Sequence, residues 1–106
     1  MEQSEFLEKN IFVDLENLNN DDVDVHRFSE ADFKIVLERV AYFGIGVYTI
    51  ETWEQNKMHT TAAHTDFKKK ATDPRWYNKA YLTFKTSQAE LTYSATYKVS
   101  NKLLER

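Results

Sequence analysis

The sequence predicts a small α+β domain in which two or three helices cover one face of an antiparallel or mixed sheet of three to four strands. Residues 30–43 repeat apolar side chains at helical spacing, and residues 45–53 are rich in β-branched and aromatic side chains. Residues 89–99 alternate apolar and polar side chains. A strand with one apolar face is typical of a sheet packed on one side, and this favours antiparallel pairing.

The whole chain, residues 1–106, is expected to form one α+β domain. Its length falls in the range of roughly 100–150 residues that is common for single domains. The composition is 42% hydrophobic and 14% aromatic, whereas disordered segments are poor in aromatic side chains. The composition therefore favours a packed core.

The N-terminal stretch, residues 4–18, predicts a helix because apolar side chains recur at intervals of four, four and three residues from Leu7 to Leu18. A short strand at Ile11–Val13 is the alternative. With that strand the element order changes from α-α-β-β-α-β to the ferredoxin-like β-α-β-β-α-β. Residues 19–27 are rich in asparagine and aspartate, which favour turns, and they leave room for a very short edge strand at residues 23–25.

The second helix carries its own start and stop signals. Ser29 is a good N-cap residue, and Asp32 three residues later completes a variant of the capping box. Gly44 follows the last apolar position and is suited to the left-handed conformation that ends a helix. These signals predict a helix over residues 30–43.

The C-terminal half predicts strands at residues 45–53 and 58–65, separated by a turn, and a basic loop at residues 66–72. Asp73 is then an N-cap with Pro74 at the first helical position, which predicts a helix that ends near Ser87. The last predicted strand, residues 89–99, directs Ser94 toward solvent. The tail is expected to form one helical turn or to fray.

The composition excludes several classes of function. The chain has no cysteine, which removes disulfides, thiolate nucleophiles and cysteine-based zinc sites. With two glycines it has no glycine-rich phosphate loop. A formal net charge of −3 disfavours nucleic acid as a partner, and the run Lys68–Lys70 is interpreted as a solvated loop.

Neither a membrane nor a metal is expected to bind. No segment approaches the roughly 20 apolar residues that span a bilayer, and the N-terminus lacks the pattern of a secretory signal, so a cytoplasmic location is expected. His59 and His64 are five residues apart, which places them on opposite faces of a strand. The acidic run at residues 21–24 lacks the spacing of a calcium loop. No cofactor is expected.

The aromatic side chains exceed what a core of this size needs, and such residues are enriched in binding pockets and interfaces. We expect a concave patch between the sheet and the helix at residues 73–87. The side chains expected to line it, as contacts for a ligand or partner, are Tyr48, Trp53, Trp76, Tyr93 and Tyr97.

The leading functional hypothesis is a non-enzymatic adaptor, accessory or inhibitor-type module that binds another protein through an aromatic or acidic surface. The alternative is a small-molecule-binding protein or enzyme that uses a pocket lined by tyrosine and tryptophan, with Glu51 or His64 as the acid–base group. No catalytic motif is assembled in the sequence, and no catalytic residue is assigned. A third hypothesis is a homo-oligomer formed by pairing of sheet edges.

Overall fold

The computed structural model describes residues 1–19, 25–55 and 57–105. The helices are α1 (Gln3–Asn10), α2 (Glu30–Phe43), α3 (Pro74–Ser87) and α4 (Asn101–Leu104), and a 3-10 turn covers His64–Phe67. The strands are β1 (Gly46–Glu54), β2 (Lys57–Ala63) and β3 (Thr92–Lys98). The edge strand considered at residues 23–25 and the acidic run at residues 21–24 lie wholly or partly outside the described residues.

The three strands form one sheet in the order β2-β1-β3, with β1 in the centre and both pairs antiparallel. Two residues separate β1 from β2 along the chain, and α3 lies between β2 and β3, which flanks the other side of β1. The predicted α+β class with a small antiparallel sheet is confirmed. The tail forms the expected short helix, α4.

The N-terminal prediction was wrong in its extent, because α1 ends at Asn10 rather than near residue 18. The amides of Ile11 and Phe12 both donate to the carbonyl of Leu7, at 2.9 and 2.8 Å, which closes the helix with a turn. Asp14 then adopts a left-handed backbone with φ 66°. Because residues 11–13 form this turn and not a strand, the ferredoxin-like alternative is not adopted.

The predicted boundaries of α2 and α3 are confirmed. The Ser29 hydroxyl accepts the amide of Asp32 at 3.2 Å, and Gly44 ends α2 with φ 69°. The Asp73 carboxylate accepts the amide of Arg75 at 2.9 Å at the start of α3. The Arg75 side chain also donates two hydrogen bonds to the Asp73 carboxylate, one from Nε and one from Nη2. These bonds lower the pKa of Asp73 to about 2.

The hydrophobic core lies between one face of the sheet and helices α2 and α3. Tyr93 of β3 stacks on Phe33 of α2, with ring centroids 5.1 Å apart, and it contacts Tyr81 of α3 at 5.5 Å. Ile50 of β1 is fully buried and pairs with Ala95 of β3. We call this side of the sheet the helix face and the opposite side the outer face.

The last strand is shorter than predicted, because it begins at Thr92 and not at Ala89. Glu90 has a left-handed backbone, φ 63°, which breaks the extended conformation in front of the strand. The predicted alternation continues from there, but Ser94 is 2% exposed although it belongs to the face expected to be wet. The prediction that Ser94 is exposed was therefore wrong, and the contacts of the outer face give the reason.

Candidate binding groove

The five aromatic residues expected to line one patch lie in three different places. Trp76 and Tyr93 are buried in the core between the sheet and the helices. Tyr48 is exposed at a bulge near the start of β1, with its ring 6.1 Å from that of His64. Trp53 and Tyr97 line an open groove. Trp53 and Tyr93 point to opposite faces of the sheet. Thr52 pairs with Tyr93 and shares its face, so the next residue, Trp53, points to the outer face.

This groove, which we call the α1–β3 groove, has a volume of about 860 Å³. One wall is the side of α1 that carries Gln3, Ser4, Leu7 and Glu8, another is the edge of β3, and the floor continues onto the outer face of the sheet. The residues that line it are Gln3, Ser4, Leu7, Glu8, Phe12, Asn19, Val25, His26, Glu51, Trp53, Met58 and residues 94–97.

A chain of hydrogen bonds on the outer face converges on the Glu51 carboxylate. The Trp53 indole N–H donates to the Ser94 hydroxyl at 2.9 Å, and Ser94 donates to Glu51 Oε2 at 3.2 Å. On the other side, Thr49 donates to Glu51 Oε1 at 3.0 Å. Thr49 has a second contact, of 2.8 Å, with the Thr96 hydroxyl. This network covers Ser94 and accounts for its burial.

The direction of each hydrogen bond in the network follows from its donors. An indole nitrogen only donates, so the Ser94 oxygen accepts from Trp53 and its single proton is left for Glu51. The single hydroxyl hydrogen of Thr49 is used in its bond to Glu51, so Thr96 is the donor in the bond between Thr96 and Thr49. Both carboxylate oxygens of Glu51 therefore accept hydrogen bonds from neutral hydroxyls. This arrangement fixes the position of the carboxylate.

Arg27 anchors the other side of the Trp53 ring. Its guanidinium carbon lies 4.9 Å from the centre of the ring, within the range of a cation–π contact. The same guanidinium donates to the carbonyl of Gln55 at 3.2 Å and to the side-chain oxygen of Asn19 at 3.3 Å. Arg27 is 6% exposed, so these contacts hold a buried cation beside the groove.

The edge of β3 is only partly covered where it borders the groove. Phe28 forms an isolated bridge with Tyr93, in which each backbone amide donates to the other's carbonyl at 2.8 Å. The backbone groups of every second residue in a strand point to the same edge, so those of Ala95 and Tyr97 face the side on which Phe28 lies. Within the part of the chain that the structure describes, no backbone segment pairs with this edge beyond Phe28.

The Gln3 side chain closes the far end of this edge. Its amide nitrogen donates to the carbonyl of Tyr97 at 3.0 Å, and its amide oxygen accepts the N–H of Val99 at 2.9 Å. This is the pair of bonds that one residue of a parallel neighbouring strand would make. The uncovered stretch is thereby limited to the backbone around Ala95, between Phe28 and Gln3.

Phe12 shapes the apolar wall of the groove. Its ring stacks on that of His26 at 4.6 Å and meets the ring of Tyr97 edge-on at 5.7 Å. The Tyr97 hydroxyl is buried and has no hydrogen-bond partner among residues 1–19, 25–55 and 57–105. Burial, with a smaller contribution from the charge of Glu51, raises the pKa of Tyr97 far above its ordinary value.

The groove carries negative charge. Of the described residues that line it, Glu8 and Glu51 are carboxylates and none is lysine or arginine. Among the described residues, no cationic side chain lies within ion-pair distance of Glu51. The groove therefore combines an apolar wall with a carboxylate that is held in place and can accept a cation.

The other polar residues considered in the sequence lie elsewhere. His59 is on β2, with Nδ1 3.8 Å from the Glu54 carboxylate, and His64 Nδ1 is 2.7 Å from the carbonyl of Lys69. Among residues 1–19, 25–55 and 57–105, no cluster of three or more histidine or acidic side chains is arranged to bind a metal ion. The run Lys68–Lys70 is exposed in the loop before α3.

Two residues that shape the site were not identified from the sequence. Gln3 is 94 residues from Tyr97 along the chain, and nothing in its neighbourhood marks it as a partner of a strand edge. Arg27 lies in a turn-rich segment where a buried cation is not expected. Glu51 and Trp53 are two residues apart on one strand and therefore share a face, and Ser94 shares that face because it pairs with Glu51. This alternation is the signal in the sequence that could have placed the three side chains together.

None of the helices formed by the described residues is both long and apolar enough to cross a membrane. No family model, curated protein or solved structure matches the chain.

Proposed function

We propose that the chain is a small, non-enzymatic, cytoplasmic module that binds another protein in the α1–β3 groove. The observation that carries the proposal is the position of this groove beside an uncovered stretch of strand edge. Exposed strand edges are sites where proteins add a further strand from a partner. A groove at such an edge offers backbone hydrogen bonds and side-chain contacts together.

The lining of the groove fits this role. Trp53 and Tyr97 supply aromatic surface, and Met58, which is 54% exposed, supplies a flexible apolar contact. Tryptophan, tyrosine and methionine are enriched at the centres of protein interfaces. Arg27 and Ser94 hold Trp53 in one orientation, so little side-chain freedom would be lost on binding.

A pair of matched tryptophan substitutions tests the proposal. Ser4 is exposed on α1 and lines the groove, so Ser4→Trp should obstruct it. Thr83 is exposed on α3 and does not line the groove, so Thr83→Trp adds the same side chain elsewhere. Proteins from the source cell would be captured on wild-type and variant chains, and each candidate would then be purified and its affinity measured.

The expected result is a purified partner whose affinity falls at least about tenfold with Ser4→Trp and is unchanged with Thr83→Trp, since filling a groove removes contacts worth 1.4 kcal/mol or more. Circular dichroism would verify that both variants are folded. A partner that binds both variants as it binds the wild type would contradict the proposal, as would the absence of any partner sensitive to Ser4→Trp.

A second candidate function is the binding of a small molecule, which the fixed Glu51 carboxylate favours. Tryptophan fluorescence titrated with metabolite pools would distinguish it. Trp53 lines the groove whereas Trp76 is buried in the core, so Trp53→Phe should remove a saturable response that Trp76→Phe preserves. A response lost with Trp76→Phe alone would contradict binding in the groove. Light scattering at two protein concentrations tests the remaining hypothesis of edge-paired oligomers.

A further inference from the structure

We infer that the α1–β3 groove takes an extended peptide segment of the partner, which pairs with the backbone of Ala95 and places a lysine or arginine side chain on Glu51. The inference rests on the proposed function, and it names the chemistry of the partner. It combines three observations: the short uncovered edge, the outer-face carboxylate and the absence of lysine or arginine among the described residues of the lining.

The uncovered edge is suited to one residue of an extended chain. Phe28 occupies the backbone groups of Tyr93, and Gln3 occupies the carbonyl of Tyr97. Between them, the N–H and C=O of Ala95 point to the groove, so a single residue of an extended segment can exchange two hydrogen bonds with it. Because Phe28 and Gln3 limit the edge at both ends, only this residue and its two neighbours lie alongside β3, and the rest of the segment leaves over the groove.

The pleat determines where the side chains of that segment point. The segment residue opposite Ala95 directs its side chain to the same face of the sheet as Ala95 does. The residues before and after it in the segment direct their side chains to the outer face. Strands lie about 4.8 Å apart, so the segment is about 10 Å from β1, where Glu51 lies. A lysine or arginine side chain at either neighbouring position extends toward β1, and the Glu51 side chain extends toward it. Together the two side chains are long enough to bridge the distance between the segment and β1.

Charge complementarity selects a basic side chain over an acidic one. The two oxygens of Glu51 already accept hydrogen bonds from Thr49 and Ser94, and these donors hold the carboxylate toward the outer face. Glu8 adds a second negative charge to the lining. An acidic side chain in the same place would face both carboxylates, which is unfavourable.

A library of random linear 12-residue peptides displayed on phage, selected on the full chain, tests the inference. Selected peptides would be synthesised with a fluorescent label and their affinities measured by anisotropy. We expect lysine or arginine at one dominant position. Glu51→Gln should weaken binding about tenfold, as loss of an oriented charge pair does, whereas Glu38→Gln, which removes the same charge from an exposed position on α2, should not.

Backbone pairing has its own pair of tests. Ala95→Pro removes the N–H that faces the groove and leaves the bonds between β3 and β1 intact, since proline is tolerated at strand edges. It should weaken binding about tenfold or more. If the variant fails to fold, N-methylation of the peptides answers the same question on the wild-type chain. One methylated position should abolish binding, and its immediate neighbour should tolerate the methyl group.

Several outcomes would overturn the inference. They are a selection that yields no peptide, peptides without a basic residue, equal affinity for Glu51→Gln and wild type, and equal tolerance of every N-methyl position. If a protein partner is nevertheless lost with Ser4→Trp, the proposed function stands and only the peptide chemistry is wrong. If no partner and no peptide depend on the groove, both proposals fail.

Discussion

The indole N–H of Trp53 donates to the hydroxyl of Ser94 across 2.9 Å, joining the central strand of the sheet to its edge strand. The Ser94 hydroxyl in turn donates a hydrogen bond to Glu51, so one small side chain orients both an aromatic ring and a carboxylate. Removal of this hydroxyl should therefore affect the stability of the fold and the geometry of the groove together.

Ser94→Ala leaves the Trp53 N–H and one oxygen of Glu51 without this partner. A hydrogen bond contributes about 0.5–1.5 kcal/mol, so the loss of these two part-buried bonds should lower the free energy of unfolding by about 1–3 kcal/mol. Urea unfolding followed by circular dichroism measures it. Thr61→Ala at an exposed position of β2 is the control and should change stability by less than about 0.5 kcal/mol. Equal effects of the two substitutions would contradict the role assigned to Ser94.

Arg27→Lys should destabilise the chain by about 1–3 kcal/mol although the charge is retained. The planar guanidinium reaches the carbonyl of Gln55 and the side chain of Asn19 while it lies over the Trp53 ring, and a single ammonium cannot match this geometry. A separate double-mutant cycle of Arg27→Met and Trp53→Leu, neither of which retains a cation–π contact, isolates the ring contact. We expect a favourable coupling of about 0.5–1 kcal/mol, and additive effects would show that the ring contact contributes nothing.

Tyr93→Phe should be neutral or stabilising at pH 7, because the Tyr93 hydroxyl is buried without a partner among the described residues. Burial, with smaller contributions from Glu30 and Tyr81, raises the pKa of Tyr93 from 10.0 to about 12. Between these values the unfolded chain loses the phenolic proton and the folded chain keeps it. The stability supplied by the raised pKa is thus complete below pH 10 and is lost as the pH rises to about 12.

The substitution should therefore become more favourable, relative to wild type, as the pH is raised. Urea unfolding at pH 7, 9 and 11 measures the difference in the free energy of unfolding. The two proteins should differ little between pH 7 and 9, and the phenylalanine variant should gain at pH 11. Parallel curves across this range would show that the phenol of Tyr93 is not protected by the fold.

Gly44→Ala should destabilise the chain by about 1 kcal/mol, because Gly44 ends α2 in the left-handed conformation that a Cβ atom disfavours. Gly46→Ala is the matched control. An added Cβ there would meet the Cβ atoms of Ala71 and Lys98 at 3.4 and 3.6 Å, which is ordinary contact. A thermal unfolding scan should show a lower midpoint for Gly44→Ala than for Gly46→Ala, and the reverse order would contradict the argument.

Local signals in the sequence predicted the middle of the fold well. Ser29 and Gly44 bound α2 through contacts made within four residues, so the sequence alone contains the information. The end of α1 depends on distant contacts: Arg39 donates to the carbonyls of Ile11 and Val13, at 2.9 and 2.8 Å, and fixes the turn there. A pattern read along the chain cannot show such a bond.

The α1–β3 groove was less predictable than the helices, because it too depends on contacts between distant parts of the chain. Trp53 and Tyr97 were identified because aromatic residues at strand positions are conspicuous, but Tyr93 shares that signal and lies in the core. The strand pattern specifies which residues share a face, and the packing of the helices decides which face is covered. The edge of β3 is visible only once the strand order β2-β1-β3 is known.

The bond pair between Gln3 and β3 also bears on self-association. A sheet can grow by recruiting a strand from another copy wherever its border offers consecutive donors and acceptors. By occupying Tyr97 and Val99, one carboxamide interrupts that series and leaves too short a run for a second sheet to join in register. The same side chain that narrows the groove therefore shortens the length of β3 that a strand from another copy could join.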